Sequence, residues 1–432
     1  MSMNNDYSRT RIICPKCRKP HNAEHVEKNG EAFWRIHCPN GAFDVKMSSD
    51  AALFRKFRDD TPHLPEEVKR KASVCIFHIN ENCSLQCPIC YADADVDGWR
   101  IPLDELRARA ERVKKRRPAI VSLSGGEPTE HEDILEIVRI LAREFRFKVS
   151  LLTNGVRLGT DPAFASQLKK AGLRKISLSF DTFKPDVSEK MRGRADLVEI
   201  KLKALQNCFN AGLNCGFTTT MCDLNISEVG DLLAFVMKNA RHMSVLQIQC
   251  LQKGRRVPED IQPVDREQII RELVRSGVVA NLKADDFLIT PCVPSFGFCV
   301  HPDCGSGVLV LAKDGKGRLF SEEFNQTSFL NAASKMNFWS RHFKKLWFGA
   351  LFLKWFGLRG LRLKSRWLFG GNRDAENLVM FGITTLMTPE KMDCERIKRC
   401  PSTVVCKKGA LVTTCYYYCH VYKQPGQLGG KS

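Results

Sequence analysis

The chain has 432 residues, 43% of them hydrophobic, and a mean hydropathy of −0.25. That length supports one large domain with one or two small ones, and that composition excludes a polytopic membrane protein. A net charge of +19 and a pI near 9.2 point to polyanions, nucleic acid or an anionic membrane surface, without choosing between them.

Residues 1–11 are polar and lack the apolar core of a signal peptide, so the expected compartment is the cytoplasm. Disulfides are rare there, and nineteen cysteines are better explained as metal ligands. Over residues 1–55, Cys14-Pro15-Lys16-Cys17 is followed by His21, His25 and Trp34, then by His37-Cys38-Pro39-Asn40-Gly41. A C-P-x-C turn with one further cysteine and nearby histidines reads as a zinc-ribbon or rubredoxin-like knuckle. Cys14, Cys17 and Cys38 would hold one zinc or iron ion. His21, His25 and His37 compete for the fourth place, and free thiols in a flexible arm are the plain alternative.

Residues 70–285 alternate short apolar runs with segments of helical period. Strands are expected at 73–79, 119–123, 148–153, 175–180, 215–221 and 245–250, with helices at 103–115, 134–145, 164–171, 197–211 and 229–239. Such alternation gives a parallel sheet with right-handed crossovers, open or curled into a partial barrel. Ligands of such sheets gather at the carboxyl ends of the strands, and the chemistry-bearing residues fall there. After the first strand, Cys83, Cys87 and Cys90 put three thiols on one tight loop at C-x3-C-x2-C spacing. Structural zinc takes four ligands in paired C-x2-C hooks. Three unevenly spaced thiolates suit three irons of a four-iron cube, leaving the fourth open.

The second strand runs into Ser124-Gly125-Gly126-Glu127-Pro128-Thr129. Gly125 and Gly126 let the backbone approach a ligand, and Glu127 can hold an ammonium group. The third strand ends in Thr153-Asn154-Gly155 and the fourth in Ser179-Phe180-Asp181. These polar ends can meet ribose hydroxyls or merely cap helices.

In this order and on these strands, the motifs resemble the radical SAM superfamily over residues 73–250. The resemblance implies an α/β fold built on a partial (β/α)6 barrel, with a [4Fe-4S] cluster on Cys83, Cys87 and Cys90. It implies that S-adenosylmethionine chelates the open iron, with Gly125, Gly126 and Glu127 at its methionyl amino group. Asn154, Ser179 and Asp181 would contact the ribose or the carboxylate. One electron from the cluster would split the sulfonium, and a 5′-deoxyadenosyl radical would remove hydrogen from the substrate.

A narrower resemblance runs along nearly the whole chain. It comprises the C-P-x-C knuckle, C-S-L-Q-C-P-I-C-Y-A, L-S-G-G-E-P-T-E-H-E-D, L-L-T-N-G-V-R and S-F-D. It continues through the G-R-R after Cys250, the P-C…H-P-D-C stretch and a late D-C-E-R-I-K-R-C. This order is similar to the tetraether lipid synthase family, enzymes that join unactivated tail carbons of membrane lipids. Where that pattern has C-P-x-H-G, this chain reads Cys38-Pro39-Asn40-Gly41. The missing histidine leaves the fourth ligand and the identity of the N-terminal metal open.

Beyond the barrel, residues 286–330 hold Cys292, Cys299 and Cys304 beside His301, and residues 371–432 hold Cys394, Cys400, Cys406, Cys415 and Cys419. Eight thiols suffice for two auxiliary [4Fe-4S] clusters, which fits the resemblance; a zinc-bound lobe is the alternative. Cys75, Cys208, Cys215, Cys222 and Cys250 fall on core elements and are expected to be buried packing residues. Between the two cysteine groups, residues 340–370 combine an apolar run, 346–353, with Lys344, Lys345, Lys354, Arg359, Arg362, Lys364 and Arg366. The run falls short of the ~20 residues that span a bilayer and suits an interfacial segment, with a buried helix as the alternative.

The expected activity is radical coupling of lipid tails by C–C bond formation. Its partners would be a membrane phospholipid substrate, an anionic membrane surface and a small electron-donor protein, at the membrane's inner face. A radical enzyme acting on RNA or a peptide is the alternative, and a non-catalytic zinc-ribbon protein gripping nucleic acid is a remote one. Nucleic acid is not the expected partner, because the basic excess sits among Trp, Phe and Leu rather than on a stacking platform.

Overall fold

The structure is a computed structural model and describes residues 9–59, 74–252, 256–287, 301, 303–323, 377–406 and 410–421. Cys292, Cys299 and the basic apolar segment 340–370 lie outside the described residues. Among those described, no helix is long and apolar enough to cross a membrane.

The N-terminal strands β1 (Arg9–Ile13), β2 (Pro20–Lys28), β3 (Glu31–Ile36) and β4 (Phe43–Ser48) form an antiparallel meander, followed by α1 (Ala51–Asp59). Strict alternation along β3 turns Ala32, Trp34 and Ile36 inward. Trp34 and Ile36 join Ile12 and Ala23 in a small core. Such a core is too small to stand alone, and the rest of the chain supports it. Ser49 donates its backbone N–H to Asp265 at 2.6 Å, Arg271 pairs with Asp50 at 2.7 Å, and Arg58 pairs with Asp303 at 3.2 Å.

The main sheet contains the six expected strands as β5 (Val74–His78), β6 (Ile120–Ser124), β7 (Val149–Thr153), β8 (Lys175–Ser179), β9 (Asn214–Met221) and β10 (Met243–Cys250). They are parallel and sequential, as βαβ crossovers require. The crossovers carry α2 (Leu103–Lys114), α3 (Ile134–Arg139, continuing as a π turn), α4 (Val156–Thr160), α5 (Phe164–Ala171), α6 (Pro185–Arg192), α7 (Leu197–Asn210) and α8 (Val229–Lys238). After them comes α9 (Arg266–Ser276), started by a capping box between Asp265 and Gln268. The short α4 and α6 were absent from the periodicity, because five or eight residues hold too few apolar repeats to register.

Four more strands, β11 (Gly305–Lys313), β12 (Lys316–Leu319), β13 (Asn377–Thr384) and β15 (Ser402–Val405), extend this sheet at both edges, with β16 (Leu411–Thr413) outermost. β13 pairs in parallel with β10, and β15 pairs in parallel with β5. Between these two strands the two-residue β14 (Met392–Asp393) leaves the sheet to pair with β1, and α10 (Cys394–Arg399) follows it. One C-terminal segment therefore closes the N-terminal sheet and caps both edges of the parallel one.

The two faces of the parallel sheet differ. Val121, Leu123, Leu151, Ile176, Phe217 and Ile248 are buried in the main core. On the other face lie Ser122, Ser150, Ser177, Thr218 and Gln247, with Ser122 in register with Ser150 and Thr218 with Gln247. Ser122 and Ser150 are 2.7 Å apart at their hydroxyls, and Ser177 and Thr218 are 2.6 Å apart. Polar groups can occupy that face only because they satisfy each other.

Asp265 both caps α9 and receives Ser49. We expect Asp265→Ala to cost about 1–2 kcal/mol by denaturant unfolding. The same variant should speed hydrogen exchange at the backbone amide of Ser49.

Candidate functional site

Cys83, Cys87 and Cys90 lie on the loop after β5, and that loop is zipped to the turn after β6. Gly126 and Glu127 donate their backbone N–H groups to the carbonyls of Asn80 and Asn82 at 2.9 and 2.8 Å. The Asn80 amide donates to the Glu127 carbonyl at 2.8 Å and to Asn82 Oδ1 at 2.9 Å. Glu130 accepts from the Ser84 hydroxyl at 2.7 Å and from its N–H at 3.1 Å. A Cβ on Gly125 would lie 2.1 Å from Asn80 Oδ1, and one on Gly126 would lie 2.2 Å from the Asn82 carbonyl oxygen. Here the glycines let two loops close on each other. Gln86 sits at φ 47°, and its side chain donates to the Cys83 carbonyl at 2.7 Å, holding a left-handed kink between the first two cysteines.

The two carboxylates expected at the cofactor also bind within the protein. Glu127 is 2% exposed and accepts from Thr129 Oγ1 at 2.7 Å, Thr153 Oγ1 at 2.7 Å, and the N–H groups of Thr129 at 3.0 Å and Asn154 at 2.6 Å. Burial raises this carboxyl above its ordinary range, against the pull of those four donors. Asp181 takes a two-pronged contact from Arg192, 2.7 Å from Nε and 3.0 Å from Nη2, and the Thr220 N–H at 2.8 Å. Burial opposes its charge, but Arg192 outweighs that and holds the carboxyl below the ordinary value. Glu127 Oε2 and Asp181 Oδ2 each accept a single hydrogen bond from the protein, so each keeps acceptor capacity. Their observed work is to tie the β6 and β7 loops together and to aim Arg192.

Arg192 in turn lies within electrostatic range of the Cys87 thiol. Asn154 brings its Nδ2 to 4.0 Å from Cys83 Sγ, while its Oδ1 accepts the Val156 N–H at 2.9 Å as a capping turn. Ser179 ends β8 on the hydroxyl-lined face. Residues 83–90, 125–127 and 154 thus converge, with 179–181 beside them.

The sequence motifs include Glu130 and Arg256 without giving either a role, and they single out none of Asn80, Arg192 and Lys201. Lys201, on α7, is 4% exposed and lies within electrostatic range of Asp181, Arg192, Cys87 and Glu127. Arg256, in the G-R-R stretch, pairs with Asp93, sits 3.3 Å from Asp95 and donates to Gln86 Oε1 at 3.0 Å. It therefore ties the segment after β10 to the cysteine loop. A legible signal was the second glutamate of E-P-T-E, three residues after the first.

The thiols fit an iron–sulfur cluster. Burial pushes Cys83 up to about 12, so it ionises only when a cation replaces its proton. The three thiols do not form the tight group, all ligand atoms within 4.8 Å, that Cys14, Cys17 and Cys38 do. The tight spacing suits one ion; the wider one suits a larger group. At the N-terminal triad, His21 Nε2 is 3.0 Å from Cys17 Sγ. His37 pairs instead with Glu24 at 3.1 Å, and His25 stacks on Phe54. Of the three competing histidines, His21 stands at the thiols.

The later cysteines separate. Cys304, Cys400 and Cys415 line one cavity of about 250 Å³ on the polar side of the sheet, together with Gln247, Gln249, Met387 and Arg396. Arg396 donates Nε to Cys304 Sγ at 3.2 Å. Cys419 lies 3.8 Å from the hydroxyl of Tyr91, the neighbour of Cys90. Cys394 lies in electrostatic range of Arg11 and Lys398, and Cys406 packs with Val404 and Tyr417. Neither lines that cavity. Cys75, Cys208, Cys215, Cys222 and Cys250 are buried as expected.

Residues 77–236 match the family model of the Radical SAM superfamily. The protein is a radical S-adenosylmethionine enzyme. Its sequence is 27% identical over 355 residues to a Methanocaldococcus jannaschii protein named 7,8-dihydro-6-hydroxymethylpterin dimethyltransferase, covering 71% of this chain and 69% of that relative. It is 28% identical over 184 residues to the Fe-coproporphyrin III synthase of Methanosarcina barkeri, covering 42% of this chain and 45% of that relative. Among solved structures, Streptococcus suis SuiB bound to S-adenosylmethionine aligns with a TM-score of 0.41 and 18% identity, over 47% of this chain and 46% of that one.

Removing Arg192 strands a buried charge. Arg192→Met should cost about 3–5 kcal/mol, seen as a lower urea midpoint, and Arg192→Lys should recover part of it. Burial lowers the Lys201 ammonium to about 8 from its ordinary 10.5. The unfolded chain then binds more protons between those pH values, so this group makes stability rise with pH across the window. Lys201→Met should flatten that rise relative to wild type; an unchanged profile would refute the assignment.

Proposed function

We propose that this enzyme uses a cluster on Cys83, Cys87 and Cys90 to direct radical chemistry at unactivated alkyl carbons of membrane lipid, coupling two chains by a C–C bond. When bound, the cluster and S-adenosylmethionine supply a 5′-deoxyadenosyl radical that removes hydrogen from substrate. The chain's own residues hold and shield that chemistry. Arg192 brings positive charge to Cys87, Arg256 pins the cysteine loop, and Lys201 supplies a second buried cation.

The observation that carries the lipid reading is that distant signatures of the resemblance meet in space. Arg256 of G-R-R sits on the cysteine loop. Cys304 of H-P-D-C and Arg396 of D-C-E-R-I-K-R-C are bonded to each other, and Cys400 shares their cavity. In this reading Cys304, Cys400 and Cys415 hold part of an auxiliary [4Fe-4S] cluster, with Cys292, Cys299, Cys394, Cys406 and Cys419 available for the remaining places. Cys14, Cys17, Cys38 and His21 hold one zinc or iron ion. Residues 340–370 would dock the enzyme on the inner face of the membrane, and a small protein would deliver electrons.

A second reading is methyl transfer to a small polar ring. The name of the first relative favours it, as does the row of hydroxyls on the sheet's polar face.

Anaerobic incubation with reductant, S-adenosylmethionine and total lipid extract separates these readings. Lipids lighter by two hydrogens per bond, with 5′-deoxyadenosine released, are expected, and Cys83→Ala should abolish both. Labelled methyl appearing on an added pterin would favour the second reading. Modified RNA or peptide would favour neither. Failure of the reconstituted wild type to consume S-adenosylmethionine would sink both.

A further inference from the structure

A cavity of about 570 Å³ lies where the N-terminal sheet meets the C-terminal segment, remote in sequence from the cysteine loop. Its lining includes Arg9, Arg11, Arg58, His37 and His301. We propose that it is a binding site for a phosphate-bearing ligand.

The strand pleat organises the cations. Arg9 and Arg11 are two apart on β1 and share a face. Thr10 between them points the other way, and its hydroxyl donates to Asp393 at 2.9 Å. Among the described residues neither Arg9 nor Arg11 has an ion pair. Arg58 is different. It is 5% exposed, held by Asp303 at 3.2 Å and stacked 4.6 Å over the Trp34 ring, so its guanidinium is fixed before any ligand arrives. Of the two carboxylates in the lining, Glu395 lies 2.8 Å from the Lys398 ammonium, and Glu24 lies 3.1 Å from His37 and directly across from Arg9 in the β1–β2 register. Among the described lining residues, three guanidiniums stand against two carboxylates.

Guanidinium forks match the oxygens of a phosphate, and two on one strand face with a third locked behind them suit a multi-oxygen anion better than a single carboxylate. The volume falls within the range of small-molecule sites. The site is separate from the cysteine-lined cavity. The His301–Cys304 turn, closed by the Cys304 N–H on the His301 carbonyl at 2.9 Å, stands between them, with His301 on one side and Cys304 on the other. The inference therefore holds whatever substrate the radical chemistry serves, and it can be tested without turnover.

A phosphate of this kind can come from a lipid headgroup or from a soluble diphosphate. Full-length protein, purified anaerobically with its metals, is titrated by calorimetry with inorganic phosphate, with ADP, and with dihexanoyl phosphatidylglycerol below its micelle concentration. Saturable binding that weakens with added salt is expected for at least one probe. It should be at least tenfold weaker in Arg9→Gln/Arg11→Gln and partly restored in Arg9→Lys/Arg11→Lys. Both arginines lie on the face of β1 opposite Ile12, so iron content and circular dichroism should be unchanged. Tightest binding of the phospholipid assigns a headgroup site; tightest binding of ADP or phosphate assigns a soluble ligand. No binding of any probe, or equal binding by the glutamine double variant, overturns the proposal.

Discussion

The structure turns on the closure of two loops over the ends of adjacent parallel strands. The Gly126 backbone lies so near the Asn82 carbonyl that a single added carbon would collide at 2.2 Å, and the Asn80 amide spans the remaining gap. A three-thiol loop is a poor structural element by itself. It has little apolar surface to bury, and burial works against ionisation of Cys83. Pinning it on one side by Asn80, Asn82 and Glu130, and on the other by Arg256, allows such a loop to hold one shape. Preorganisation of this kind is what a site built for a metal cluster requires.

Charge in this site is arranged in layers. Asp181 neutralises Arg192, Arg192 lies within electrostatic range of Cys87, and Lys201 lies behind them with its proton loosened by burial. Each isolated group would be costly at that depth; together they form a network in which every cation has an anion within reach. The same rule governs the junction between the two sheets. There Arg58 answers Asp303, and Arg396 answers Cys304. These buried arginines join segments 245 and 92 residues apart, so the N-terminal sheet, the parallel sheet and the C-terminal return are held as one framework.

The six central strands and the long helices were legible because their periodicity is local. Alternation along β3 and three-four spacing along α7 are properties of neighbouring residues. The cysteine spacing was legible for the same reason: ligands for one cluster can be supplied by eight consecutive residues. The C-terminal strands were not, because β13 and β15 earn their place only by pairing with β10 and β5. A four-residue run such as Ser402–Val405 carries no mark of its partner.

Local order along the chain thus decided the class of chemistry, since thiol spacing and a glycine turn after successive strands are enough to specify where a cluster can be held. Three-dimensional packing decided what the surrounding polar residues do. Glu127 and Asp181 stand at strand ends in one dimension; in the fold they also bind Thr153 and Arg192 and so tie neighbouring loops together. His21 is singled out from His25 and His37 by the fold of β2 against the C-P-x-C turn, and Cys304, Cys400 and Cys415 meet only because the chain returns to both edges of its own sheet. Hydrogen bonds and ion pairs act over a few ångströms, and which groups come within that distance is settled by the path of the whole backbone.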